Sequence, residues 1–294
     1  MNIKKFRMKK TTTLLGFLFL SANIFAQDVV KINVVYHFSY VRDLENKDVP
    51  YKNDMILSIG QSSSRYCTKK LFIDNDKKIL EARKKEQERS MSMPSASIPT
   101  VTGGPMLTIG KAGPIITEEI MKYPKSNKIS IETQLGLKSY HTETDLQQIE
   151  WTVLSETKKI GNYDCQKATG KFGGRTYEAW FTKEIPYEEG PWKLHGLPGL
   201  ILEANDTANV ISFVFKEILK NDDPDMITKS FFNSQFSIAT NLEDLNKARK
   251  AFETDPEGVM SAQAPNARLY IRNIDNPNDK TPQKIKKINP MELE

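Results

Sequence analysis

Residues 190–203 read Gly190-Pro191-Trp192-Lys193-Leu194-His195-Gly196-Leu197-Pro198-Gly199-Leu200-Ile201-Leu202-Glu203. Backbone punctuation is packed here against apolar side chains more densely than elsewhere in the chain. Proline presets φ, and glycine reaches dihedrals closed to other residues. Leu197-Pro198-Gly199-Leu200 therefore fits a type II turn, with Pro at its second position and Gly at its third. The apolar run Leu200–Leu202 that follows requires burial. The stretch reads first as a folding corner between two segments of one sheet.

Its flanks carry strand signals. Tyr163–Lys171 and Arg175–Lys183 frame Gly173-Gly174, a hairpin signature. Trp151, Val153 and Leu154 lead into Gly161-Asn162, and Val210–Ile218 is rich enough in Val, Ile and Phe to expect burial on both faces. All three tryptophans lie between 151 and 192, which places the centre of the fold here. Nearer the N-terminus, Val30, Ile32, Val34, Tyr36, Phe38 and Tyr40 alternate with mostly polar residues, the pattern of a strand with one buried face. Further strands are expected at Met55–Ile59, Arg65–Ile73 and Ile129–Leu135, and at Ile115–Tyr123, where a helical turn also fits. Leu242, Leu245, Ala248 and Phe252 follow helical spacing, with Thr240 and Asn241 as cap candidates. Arg268–Arg272 reads as a last strand, and 275–294 as a polar tail broken by proline. The expected fold is mainly β: a curved or partly closed antiparallel sheet with one or two covering helices.

Two segments stand apart. Residues 1–26 hold five basic residues, then an apolar stretch and Ala26, the layout of a secretory signal peptide. They contain five of the 42 basic residues and none of the 37 acidic ones, so 27–294 carries 37 of each. That balance leaves no overall cationic footprint for nucleic acid. No segment after the signal is long and apolar enough for a membrane span. Residues 82–113 lack aromatics and are rich in Ser, Gly and Pro, a composition that reads as a mobile insertion. The domain reading is thus a signal peptide over 1–26, N-terminal strands over 27–81, the insertion, a β-rich core with a C-terminal helix over 114–274, and the tail.

The run from Trp151 to about Ile218 resembles the GLPGLI family of secreted Bacteroidetes proteins. Its name is spelled here by Gly196-Leu197-Pro198-Gly199-Leu200-Ile201. Ile160–Ala168, Gly174–Thr182, Glu184-Ile185-Pro186 and Gly190-Pro191-Trp192 match as well, as does the ending Asn289-Pro290-Met291-Glu292-Leu293. The resemblance implies an exported protein, in the periplasm or at the outer membrane, with an outer-membrane transporter as an implied partner. It brings no catalytic residues and no cofactor.

The chemistry legible in the residues is sparse. Three histidines, His37, His141 and His195, sit far apart without metal spacing, and no Gly-x-Ser-x-Gly elbow occurs. An envelope hydrolase could be assembled from His195 with Glu203 or Asp206, but any chain of this size offers such sets, and a polar residue on a turn is the favoured reading of His195. Met91 and Met93 are soft-metal donors without supporting His or Cys, so no metal is expected. Asp206-Thr207-Ala208 resembles a short O-glycosylation signal and also reads as a turn between strands. Cys67 and Cys165 could form one disulfide in an oxidising compartment or remain two buried thiols; the sequence leaves both open. Binding is the function the residues favour, of an apolar or peptide-like ligand or of an envelope partner. Trp180, Trp192, Leu194, His195 and Leu197 are the candidate binding residues, because aromatics beside Pro and Gly shape grooves as well as cores. A structural scaffold is the remaining alternative.

Overall fold

The computed structural model describes residues 28–45, 47–70, 117–219, 237–265 and 289–293, together with the backbone of 106–110, 113–114 and 270–273. Residues 1–26, read as a signal peptide, most of the 82–113 segment, and Met91 and Met93 lie outside the described residues.

In chain order the strands are β1 (Ile32–Tyr40), β2 (Tyr51–Ile59), β3 (Ser64–Thr68), β4 (Met106–Gly110), β5 (Gly113–Pro114), β6 (Thr117–Tyr123), β7 (Lys128–Leu135), β8 (Lys138–Asp145), β9 (Trp151–Ile160), β10 (Tyr163–Phe172), β11 (Arg175–Thr182), β12 (Leu200–Asp206), β13 (Ile211–Leu219), β14 (Ile238–Ala239) and β15 (Tyr270–Asn273). Two α-helices, α1 (Leu242–Thr254) and α2 (Pro256–Gln263), and a 3-10 turn at Pro124–Ser126 between β6 and β7 complete the described elements.

Twelve strands form one sheet in the order β14-β8-β7-β6-β3-β2-β1-β13-β12-β11-β10-β9. The chain begins in the middle at β1 and winds out to β8. It then crosses to the far edge at β9 and winds back until β13 pairs with β1. The end strands β9 and β14 do not meet, so the sheet stays open. It is antiparallel except where β14 lies parallel to β8. The expectation of a β-rich fold with covering helices holds.

The sheet curls around the segment between β11 and β12. In a flat sheet β6 and β11, six places apart, would lie roughly 29 Å from each other. Here Lys122 on β6 donates to the carbonyls of Gly190 and Leu194 in that segment, at 2.9 and 3.1 Å. Leu194, Leu197, Leu200 and Ile201 share one core with Val34, Tyr36, Ile120 and Ile131 from the other half. β1 buries one face throughout, Val34, Tyr36, Phe38 and Tyr40 joining this core; on its other face Val35 packs with Ile56 and Cys67 in a second cluster, while His37 is exposed.

Local signals predict several elements closely. Gly173 and Gly174 both have positive φ, 54° and 70°, as a tight two-residue hairpin turn demands. Asn241 caps α1, its side chain accepting from the Asp244 amide at 2.8 Å, while Leu245 and Phe252 are buried. Other expectations change. β13 is not buried on both faces: Ile211 and Phe213 are, but Val214 is 38% exposed, and β12 pairs no further along it than Val214. β4 and β5 fall within the stretch read as an insertion, and β4 runs parallel to β15. α2 was hidden by a weak apolar period; Pro256 in its first turn and Asp255 as cap define its start. Residues 289–293, read as part of a polar tail, dock on the sheet: the Asn289 amide donates to the Arg42 carbonyl at 2.7 Å and the Leu293 amide to that of Gly173 at 2.9 Å.

Candidate functional site

The corner itself is built differently from a type II turn. The Gly199 amide donates to the Leu197 carbonyl at 2.7 Å, closing a three-residue turn over Pro198, and the Leu200 amide goes to Ile185 instead. Gly199 has φ 145°, and a Cβ there would lie 2.1 Å from the Thr182 carbonyl oxygen. Backbone pressed against β11 thus displaces the turn that the dipeptide alone prefers. Gly196 also has positive φ, 89°, and its amide donates to Glu188 at 3.0 Å. Ile201 joins β12, and its carbonyl accepts from the buried Tyr36 hydroxyl at 2.8 Å.

The five candidate binding residues separate. Leu194 and Leu197 are core, without appreciable exposure. His195 is buried, and its Nε2–H donates to the Gln147 carbonyl at 3.0 Å. Burial and the nearby Lys122 charge both lower its pKa, so the ring is neutral. Its hydrogen-bond partner is a main-chain carbonyl, not a hydroxyl, thiol or carboxylate, which fits a turn histidine rather than a general base. Trp180 stands half-buried on β11 under Lys158 and Lys167, whose ammonium groups lie 4.4 and 5.9 Å from its ring centre. Trp192 is 4% exposed and belongs to the same core as Leu194 and Leu197, and it is the one of the five that lines a cavity.

Cys67 and Cys165 are free, each buried and in separate apolar clusters, so the disulfide left open by the sequence is not made. Burial raises both thiols, Cys67 to about 12 and Cys165 to about 11, which leaves them unreactive. Asp206 is buried against Arg175 at 2.9 Å and accepts from the Val210 and Ile211 amides, while Thr207 stands exposed on the turn. Among the described residues no cluster of His, Cys, Asp and Glu could hold a metal ion, and no helix is long and apolar enough to cross a membrane.

The cavity measures about 510 Å³ and lies between the inner face of the sheet, α1 and residues 290–293. One wall is aromatic. Phe38 stacks on Phe213 at 5.1 Å, Phe213 on Trp192 at 6.3 Å, and Tyr66 meets Phe213 edge-on at 6.4 Å. The facing wall is polar, with Asn246, Arg249, Lys250 and Glu253 from α1. Trp192 enters through a four-residue turn closed by the Leu194 amide on the Pro191 carbonyl at 3.1 Å. That turn holds Trp192 at φ 56°, a left-handed conformation that is rare for a bulky residue and costs on the order of 1–3 kcal/mol. Lys193 then folds over the indole, 5.3 Å from its centre, and pairs with Glu292.

Four buried polar atoms around this cavity have no hydrogen-bond partner among the described residues: Tyr40 Oη, Tyr66 Oη, Trp192 Nε1 and Arg249 Nε. The Trp192 indole points at Glu118 without closing a bond of normal geometry, though its N–H still helps to hold that carboxylate in its charged form. Burial acts to raise the Glu118 pKa, but Arg249 and Lys193 outweigh it and bring the group below its ordinary value. Glu253 behaves oppositely. Burial raises it to about 7, against the pull of Arg249 and Arg42. The sequence points to Trp192 but not to its neighbours in the cavity, which come from β1, β2, β3, β6, β13, α1 and residues 290–293. The only local signal was the same-face spacing of Tyr36, Phe38 and Tyr40.

The fold and site define a β-rich protein with an open, curled sheet and an aromatic cavity. The family model described as a protein of unknown function (Porph_ging) matches residues 171–203, from the end of β10 into β12, so the GLPGLI resemblance stands over that stretch. No curated protein matches the chain. Among solved structures it is similar to PNGF-II in the P21 crystal form, with TM-score 0.48 and 17% identity over 76% of this chain and 33% of that one. The C2 form gives TM-score 0.42 and 14% identity over 74% and 32%. The chain thus spans about a third of the length of PNGF-II.

Proposed function

We propose that this chain is an exported binding protein whose aromatic cavity takes an apolar or peptide-like ligand, in the periplasm or at the outer membrane. One observation carries the reading: Trp192 is held in a left-handed conformation with its ring forming the cavity wall. Strain of this kind persists only where the surroundings impose it, and it concentrates at ligand sites. The volume lies within the range of small-molecule pockets, about 300–1,000 Å³. Export follows the basic-then-apolar reading of residues 1–26, an envelope partner follows the GLPGLI resemblance, and both belong to the same proposal.

Protein purified from its native envelope should retain a bound small molecule in native mass spectrometry. Trp192→Ala should lose it while keeping the circular dichroism spectrum of the wild type, and Trp192→Phe should keep part of it. Equal retention in all three would leave the segment a purely structural corner.

A further inference from the structure

We propose that the cavity selects an amphipathic anion, an apolar body carrying one carboxylate- or sulfonate-type head. The inference rests on the binding reading above and narrows it to a ligand class.

Three observations converge. First, the stacked Phe38–Phe213–Trp192 row lines one wall with aromatic carbon, which suits an apolar body. Second, Tyr40 Oη, Tyr66 Oη and Arg249 Nε have no partner among the described residues and can donate; a guanidinium nitrogen donates only, so the occupant must bring an acceptor. A buried donor left without a partner costs about 1–3 kcal/mol, and three of them around one cavity mark a place where acceptors are meant to arrive. Third, the charge around the cavity favours an anion. Glu118 is committed to Arg249 and Glu292 to Lys193. Burial raises Glu253 to about 7, and with its proton on, the wall of α1 is left positive through Lys250, Arg249 being balanced by Glu118. A cationic ligand would leave the Arg249 Nε donor unmet and add charge beside Lys250.

Protonation then couples to binding. The groups facing Glu253 are Arg249 and Lys250 on its own helix, Tyr40 and Arg42 from β1 and its end, Tyr51 from β2 and Tyr66 from β3. Glu118 from β6 and Glu292 from the 289–293 segment complete the set. Burial raises Tyr40 and Tyr66, so both hydroxyls stay neutral around pH 7. An incoming anion opposes ionised Glu253, so the site takes up a proton on binding, and affinity falls as pH rises through the range where Glu253 loses its proton.

The test uses two fluorescent probes with the same arylnaphthylamine body. 8-Anilinonaphthalene-1-sulfonate is anionic and N-phenyl-1-naphthylamine is neutral. Titrated into the full chain at about pH 6, the sulfonate should bind roughly tenfold more tightly, and its advantage should shrink by about pH 8. Tyr66→Phe and Tyr40→Phe should each weaken the sulfonate about fivefold, leave the neutral probe unchanged, and not lower Tm, since each removes an unmet hydroxyl. Glu253→Gln should abolish the pH dependence. Equal affinity for both probes at every pH, or unchanged sulfonate binding in the tyrosine variants, would overturn the anion and leave the apolar binding reading standing. Binding of neither probe would overturn both.

Discussion

Gly199 and Gly196 look alike in sequence, yet they carry different burdens. At Gly199 an added Cβ meets the Thr182 backbone at 2.1 Å, and main chain in a sheet cannot step aside. At Gly196 the nearest such atom is Trp151 Nε1 at 4.0 Å, so only the left-handed backbone resists a side chain. Gly196→Ala should therefore cost about 1–2 kcal/mol, and Gly199→Ala more than about 4 kcal/mol, both read from urea denaturation midpoints. Equal costs would show that φ alone governs the corner. The requirement for glycine was legible in the sequence. The turn type was not, because the contact that excludes a type II turn comes from β11.

At the scale of elements, the segment between β11 and β12 is tied to β6 by a buried lysine. Lys122 is 0% exposed, pairs with Glu189 at 2.7 Å and donates to two carbonyls of the segment. Removing one partner of such a pair strands the other charge, at about 3–5 kcal/mol. Lys122→Met should lose about that much in chemical denaturation, and adding Glu189→Gln should recover a substantial part. A double variant no better than the single would assign the cost to the two carbonyls. Hairpin turns and the α1 cap were readable because each is closed within a few residues: Gly173-Gly174 needs only its neighbours, and Asn241 reaches only Asp244. β4 was not readable, since its parallel partner β15 lies more than 150 residues away. Lys122 itself reads as one more polar position on an alternating strand.

Over the whole molecule, residues 289–293 brace the curl. Arg175 holds Asp206 on one side and, on the other, donates to the carbonyls of Met291 and Pro290 at 2.8 and 2.7 Å. The same segment closes one side of the cavity. Ending the chain after residue 288 removes both acceptors and that wall together. Charge-assisted hydrogen bonds are worth about 1.5–3 kcal/mol each, and for a chain of this size each kcal/mol moves Tm by about 2–4 °C. Tm should fall by roughly 5 °C or more in scanning calorimetry, with weaker sulfonate-probe binding. An unchanged Tm would make the brace ornamental. The ending had been recognisable by its resemblance, but its place on the sheet had not.

By itself the sequence determined the β class, the alternating strands, the hairpins, the helix cap and the glycine corner, because periodicity, turn dihedrals and capping act over a few residues. Only the tertiary structure decided which aromatics form a site. It sent Leu194 and Leu197 to the core and Trp180 to the outer layer, kept Trp192, and set it beside Phe38, Tyr66 and Phe213. Those four residues meet because the sheet curls and β13 returns to β1, a long-range pairing that no local pattern encodes.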